Sequence, residues 1–215
     1  MAYVMKEFWE NYFRDQGTFW GFKSADSSLY AAKMFQAKNY KKVLIPGIGY
    51  GRNARPFLDA KMKVAGIEIS STALSLMKDH FPKIQAFCGS VLDMPFEEVC
   101  YDGIYCYALL HLFNFHERKI IISNCCKQLN NGGAMIFSVI SPESDMMKSG
   151  KQIGRNRRLL PNGSKVFFYD DEDIRKEFAK TGLAEIVDME EPIKFMNDVP
   201  SMKFKMIICE KQKQQ

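Results

Sequence analysis

Three glycines at alternate positions separate a short apolar run from a helix start in Val43-Leu44-Ile45-Pro46-Gly47-Ile48-Gly49-Tyr50-Gly51-Arg52-Asn53-Ala54. Seventeen residues past Gly51 a second apolar run, Val64-Ala65-Gly66-Ile67, ends in Glu68. A glycine turn after a first strand, with a carboxylate at the tip of the second, is how a doubly wound sheet holds a nucleoside. The glycines permit positive φ and close approach of backbone to ligand. The helix start behind them presents free N–H groups. The carboxylate can accept hydrogen bonds from two ribose hydroxyls. Neither element alone excludes a ligand-free turn or a solvated strand-end acid; together they exclude most such readings.

Strands and helices alternate around this unit. Strands are expected at 42–46, 63–69, 84–88, 102–107 and 134–140, and helices at 51–60, 71–80 and 115–130, the last stopped by Asn130-Asn131-Gly132-Gly133 as a C-cap. Asp93 to Tyr101 is too short for a full crossover helix. A further helix over 170–181 takes Asp170 as its cap, with Asp171, Glu172 and Asp173 in the first turn, and ends at Gly182. Two last apolar runs, Leu183–Met189 and Phe204–Cys209, flank a loop with Pro192 and Pro200 and can pair as an antiparallel edge; the tail Lys211–Gln215 is expected to fray. The pattern predicts an α/β, doubly wound (Rossmann-like), mostly parallel seven-stranded sheet with an antiparallel C-terminal edge. Residues 1–38 form an N-terminal helical cap, 39–141 the cofactor-binding core, and 142–215 a lid loop, the last helix and the edge pair, all in one domain of 215 residues. Within the cap, Phe8, Trp9, Tyr12 and Phe13 form a packing stripe at helical spacing, and a second helix spans about Ser24–Gln36 with Ser24 or Asp26 as its cap.

Composition narrows the class. The six cysteines contain no C-x-x-C pair, so neither a metal site nor a disulfide framework is expected, and a reducing cytoplasm is the default. The N-terminus lacks the charged-then-apolar order of a signal peptide, and no apolar run reaches transmembrane length. The net charge of +5 does not by itself argue for nucleic acid.

Two more segments complete a family pattern: Phe87-Cys88-Gly89-Ser90-Val91-Leu92-Asp93-Met94-Pro95-Phe96 and Tyr101-Asp102-Gly103-Ile104-Tyr105-Cys106-Tyr107-Ala108-Leu109-Leu110-His111-Leu112. In order and spacing, Val43 to Ile140 resembles the class I S-adenosylmethionine-dependent methyltransferases. The Gly47–Ala54 run is most similar to the small-molecule enzymes of tellurite-resistance and thiopurine type. The resemblance implies a protein that transfers a methyl group to a small acceptor and releases S-adenosylhomocysteine, with no metal. It implies that Gly47, Gly49 and Gly51 line the methionine and ribose end of the cofactor and that Glu68 binds the ribose hydroxyls. It further implies that Ile69 packs on adenine, that Ser90, Val91 and Leu92 edge the adenine, and that Tyr107 lies near the sulfonium. Two positions depart from the family. Ile45-Pro46 stands where an acid usually orients the cofactor's amino group, and Ser90 stands where an acid often opens the adenine-binding loop.

Other residues carry two readings each. His111 lies just past the strand ending at Tyr107, and is either an acid/base or a buried structural histidine. Asp102 is read as fixing a turn, Cys125-Cys126 as core, and His80 and His116 as surface. Trp20 is a candidate wall for a sulfonium by cation–π attraction, or simple packing. Lys148, Lys151, Arg155, Arg157, Arg158 and Lys165 form a run without acids. It is either solvated surface or a recognition loop in which Arg157 and Arg158 meet an anionic acceptor; without interleaved aromatics it does not suit nucleic acid. Two rival functions stay open: a nicotinamide-dependent oxidoreductase, against which Arg52 replaces the third glycine of that motif, and a non-catalytic cofactor-binding protein. Oligomeric state is not readable.

Overall fold

The computed structural model describes residues 2–191 and 202–212. In chain order the elements are helix α1 (Ala2–Gln16), α2 (Asp26–Ala37), strand β1 (Lys42–Pro46), α3 (Arg55–Asp59), β2 (Lys63–Glu68), α4 (Ser71–His80) and β3 (Gln85–Cys88). They continue with β4 (Tyr101–Tyr107), α5 (Phe115–Gln128), β5 (Leu129–Ile140), β6 (Lys151–Gly154), β7 (Arg157–Leu159), β8 (Lys165–Phe167), α6 (Asp171–Glu177), β9 (Leu183–Glu191) and β10 (Met202–Glu210).

Seven strands form one sheet in the order β3-β2-β1-β4-β5-β10-β9. The first five are parallel, and β10 runs antiparallel to both β5 and β9. This is the expected architecture. The chain order reverses between β1 and β4, and ligands of open α/β sheets bind in the crevice at such a switch point. Side-chain alternation builds a core on each face. Leu44, Ala65, Ile67 and Ile104 face Ile121, Ile122 and Cys125 of α5. Val43, Ile45, Val64 and Tyr105 face Phe35, Phe57, Leu74 and Met77. Each such large side chain contributes about 1.5–3 kcal/mol by burial.

Several expected boundaries move for physical reasons. The helix ending at Gln128 gives way at once to β5, so Asn130–Gly133 is no C-cap. Tyr101 pairs with Leu129 and Gly103 with Ala134, so those residues are an outward bulge that brings the strand back into register. The helix after the glycine loop is a 3₁₀ turn, Arg52–Ala54, followed by the short α3. Helix α2 is not capped by Ser24 or Asp26. Its free amides at Asp26 and Ser27 donate to Glu191 Oε2 and Oε1 at 2.8 and 2.9 Å, a carboxylate from 165 and 164 residues away. Asp170 does cap α6, accepting from the Asp173 amide at 2.8 Å, but the helix stops at Glu177. The segment after β5 is no open loop: β6, β7 and β8 make a three-stranded antiparallel sheet. Between β3 and β4 there is only a 3₁₀ turn, Val91–Asp93, as the spacing required. The Pro192–Pro200 loop and residues 213–215 lie outside the described residues.

Candidate functional site

The carboxyl ends of β1, β2 and β4 open into a cavity of about 320 Å³. Its floor is the glycine loop. Gly47 and Ile48 donate to the Ile67 carbonyl at 2.8 and 3.1 Å, seating the loop on the end of β2. At Gly47, with φ +70°, a Cβ would lie 2.9 Å from the Leu109 side chain, so any larger residue would displace the wall opposite. Gly47 and Gly49 line the cavity; Gly51 does not. A Cβ on Gly51 would meet Met77 and Phe81 at 2.9 Å, so it lets the loop pack on α4 rather than face a ligand.

Glu68 ends β2 against the cavity and is 7% exposed. Oε2 accepts from the Gly49 amide at 3.0 Å, and Oε1 from the Ile69 and Ser70 amides at 2.8 and 3.0 Å. Burial raises its pKa against the pull of these three amides. Ile69, Ser90, Val91, Leu92 and Tyr107 also line the cavity. The Ser90 hydroxyl is partly engaged, accepting from the Leu92 amide at 3.2 Å. Ile45 is buried in the sheet and does not reach the cavity.

Arg52 was legible only as a departure from a dinucleotide loop. It lines the cavity with its guanidinium carbon 5.5 Å from the Tyr107 ring centre, and its Nη1 donates to the Lys23 carbonyl at 3.2 Å. A nucleoside with an amino-acid tail fits these residues: a carboxylate for the ribose, an apolar slot for the base, and a guanidinium for the tail's carboxylate. An acid for its amino group is missing from β1.

The roof is aromatic. Trp9, Phe13 and Trp20 line the cavity, so the stripe read as packing supplies wall as well. Trp20 stacks on Tyr12 at 5.0 Å between ring centres, and Phe13 meets Tyr50 edge-on at 6.2 Å. Glu10 of α1 fastens this roof. It accepts from the Ser70 hydroxyl at 2.8 Å and the Ser71 hydroxyl at 3.1 Å, and from the amide and hydroxyl of Thr72 at the start of α4. The Thr72 hydroxyl, opposed by burial and helped by the Ser70 hydroxyl, holds its pKa down to about 2. Removing a carboxylate that satisfies helix-start donors costs about 1 kcal/mol. Glu10→Ala should therefore speed amide exchange across α1 by about fivefold, read by hydrogen-exchange mass spectrometry. Unchanged protection would show that the aromatic contacts hold the roof alone.

His111 lines the cavity yet is 6% exposed. Its Nδ1 accepts from the Ile140 amide at 3.2 Å, so in the neutral ring the proton sits on Nε2. Burial pushes its pKa from 6.5 down to about 3. It is therefore neutral at pH 7 and carries no free lone pair with which to act as a base. Between these two values the unfolded chain binds a proton that the folded chain refuses. Its contribution to stability is thus complete above pH 6.5 and is lost as pH falls toward about 3. His111→Gln should flatten that loss by up to about 1.4 kcal/mol per pH unit in urea titrations from pH 7 to 4. Parallel profiles for the two proteins would contradict this.

The far end of the cavity is closed by Leu112, Phe113, Ile140, Leu160, Val166 and Phe204, with Asn162 and Ser164 from the small sheet. Arg157 and Arg158 are not in the lining. Arg157 Nη1 donates to the Phe113 carbonyl at 3.2 Å, and Lys148 and Arg155 pair with Asp145 and with Asp170 and Glu172. Beneath this wall Arg118 of α5 lies over the Phe167 ring at 4.0 Å. Its Nε donates to Glu177 at 3.0 Å and its Nη1 to the Phe113 carbonyl at 3.1 Å. Asp102 fixes the base of the sheet rather than a local turn, accepting from the Lys41 and Lys42 amides, 61 and 60 residues away, at 2.8 and 3.0 Å. Cys125 is buried, and His80 and His116 are exposed. Among the described residues no group of three or more His, Cys, Asp or Glu could hold a metal, and no helix is long and apolar enough to cross a membrane.

Comparison with known proteins agrees with this geometry. Residues 43–133 match the model of a methyltransferase domain. Over 155 residues the chain is 26% identical to the tRNA N(3)-methylcytidine methyltransferase Mettl2 of Drosophila melanogaster; the match takes in 65% of this chain and 47% of the fly protein, about half its length. A solved structure concerned with conversion of a disulfide bond into a thioacetal group during echinomycin biosynthesis aligns at TM-score 0.77 and 16% identity, covering 98% of this chain and 93% of that one. The Burkholderia thailandensis 1,6-didemethyltoxoflavin-N1-methyltransferase, solved with its substrate and S-adenosylhomocysteine, aligns at TM-score 0.73 and 14% identity, over 98% of this chain and 88% of that one. The chain has the fold of the class I S-adenosylmethionine-dependent methyltransferases, and its residues 43–133 are similar to a methyltransferase domain.

Proposed function

We propose that this protein transfers a methyl group from S-adenosylmethionine to a small-molecule acceptor. The observation that carries the reading is one continuous cavity with a nucleoside end at Glu68 and a closed apolar end at Phe113 and Phe204. Bound S-adenosylmethionine supplies a methyl already activated by positive sulfur. The protein's own task is then to align the acceptor and exclude water. Glu68 takes the ribose hydroxyls, and Ile69, Ser90, Val91 and Leu92 frame the base. Gly47 and Gly49 pass under the tail, Arg52 holds its carboxylate, and Tyr107 and Trp20 face the sulfonium. The run Gly47–Ala54 supports kinship with the small-molecule enzymes of tellurite-resistance and thiopurine type. That residues from all three segments line one pocket supports a single domain, with 1–38 as roof, 39–141 as core and 142–215 as the acceptor wall and sheet edge.

The fly relative named for tRNA methylation supports a second reading, an RNA acceptor. Against it stands the contact of Arg157 with the Phe113 carbonyl, which holds that guanidinium against the protein. The test is calorimetry with S-adenosylhomocysteine, followed by transfer of labelled methyl to a metabolite extract and to total tRNA. Micromolar binding with label in the small-molecule fraction is expected. Label in tRNA would replace the first reading by the second, and absence of binding would remove both.

A further inference from the structure

The acceptor end of the cavity lacks two things that methyltransferases of charged or protonated acceptors need: a counter-charge and a base. Its lining at Leu112, Phe113, Ile140, Leu160 and Phe204 is apolar, and Asn162 and Ser164 beside them are polar but uncharged. Among the described residues none of the six cations between Lys148 and Lys165 reaches it. The carboxylate nearest this end, Glu117, is tied into the start of α5, where it accepts from the Asn114 amide at 2.9 Å. An anionic acceptor would therefore be desolvated with no counter-cation. A phenol or an alkylammonium would need to lose a proton, and His111 cannot receive it. The lone pair of its neutral ring, on Nδ1, is engaged by the Ile140 amide, and burial keeps the ring neutral. What His111 can offer a ligand is the Nε2–H.

Building on the methyltransferase reading, we propose that the acceptor is a neutral, apolar molecule with two separate functions: a nucleophilic lone pair that carries no proton, as on a heteroaromatic nitrogen or a thioether sulfur, and a hydrogen-bond acceptor that receives the Nε2–H of His111. The reaction then balances without a base. The bond from methyl carbon to sulfur breaks as the acceptor's lone pair bonds to that carbon. Sulfur leaves as a neutral thioether, the positive charge passes to the product, and no proton changes hands. Tyr107 and Phe204, stacked with ring centres 5.6 Å apart, line the cavity where that charge would appear, and aromatic faces attract cations.

The experiment uses the whole chain and begins with S-adenosylhomocysteine calorimetry, so that failure of the methyltransferase reading shows as absence of binding. Matched bicyclic probes follow, each scored by release of S-adenosylhomocysteine: quinoxaline, quinoline, 2-naphthol, 1-naphthoate and 2-naphthylmethylamine. Quinoxaline has a second ring nitrogen for His111; quinoline does not. With cofactor binding intact, quinoxaline and quinoline should be methylated on nitrogen, and the other three at one-tenth that rate or less. His111→Phe should raise KM for quinoxaline by about tenfold, the cost of one hydrogen bond, with kcat little changed and quinoline unaffected. His111→Gln, which keeps an N–H donor, should recover most of the loss. Preference for the naphthol, the naphthoate or the amine would overturn the proposal. So would an untouched quinoxaline, or equal KM increases for both heterocycles, which would mark His111 as structural.

Discussion

Glu177→Ala should lower unfolding free energy by about 3–5 kcal/mol, because it strands a buried guanidinium. The Arg118 and Glu177 side chains are each 3% exposed, and the Tyr169 hydroxyl donates to the same carboxylate at 2.9 Å. Water cannot replace the lost partner at such a site. Arg118 also bonds the Phe113 carbonyl and covers Phe167, so the loss should spread to the acceptor wall. Urea unfolding at pH 7 measures the effect. Replacing both partners, with Arg118→Met and Glu177→Leu, should restore much of the stability, since a well-packed apolar pair needs no charge desolvation. A single variant within 1 kcal/mol of the parent, on the scale of an exposed pair, would mean that solvent reaches the pair.

Glu68→Ala should weaken S-adenosylhomocysteine by about 1.5–3 kcal/mol, the range for hydrogen bonds to a charged group. The carboxylate already serves the Gly49, Ile69 and Ser70 amides, so the variant should also lose some stability without ligand. Glu68→Gln separates the two effects, because its carbonyl oxygen can keep part of the amide network while the charge is gone. Calorimetry gives the affinity and thermal unfolding the stability. Wild-type affinity in both variants would take Glu68 out of ribose binding.

What could be read from the chain beforehand was what lies close in sequence. The glycine loop and Glu68 are local signals, and both stand where the spacing put them. The alternation of strands and helices gave the sheet, and Asp170 capped its helix because cap and amide are three residues apart. Long-range capping was not readable. Glu10 serves α4 across 60 residues and Glu191 serves α2 across 165, and no spacing rule links them. Asn130–Gly133 misled because turn-forming residues suit a bulge as well as a helix end. The lysine and arginine run looked available because sequence shows charge but not partners; the acids that engage it, Asp145, Asp170 and Glu172, lie just before it and just beyond it. The role of His111 turned on one contact, the Ile140 amide, which only the closing of β5 against the strand 4 tip creates.

The placement of β10 has a consequence for how the protein is made. Among the described strands of the sheet, the one latest in sequence is not at the border but second from it, inserted between β5 and β9. Until it arrives, β5 presents an unpaired edge bearing Met135, Ile136, Phe137 and Val139, all fully buried in the finished fold. Helix α2, made before β5, waits longer still, across 165 residues, for the carboxylate of Glu191. A chain that stalls or is cut after β5 therefore holds the whole glycine loop and Glu68, yet exposes an apolar strand edge ready to pair with another chain. The hazard of this topology falls between the synthesis of β5 and that of β10, and its outcome there is aggregation, not slow turnover.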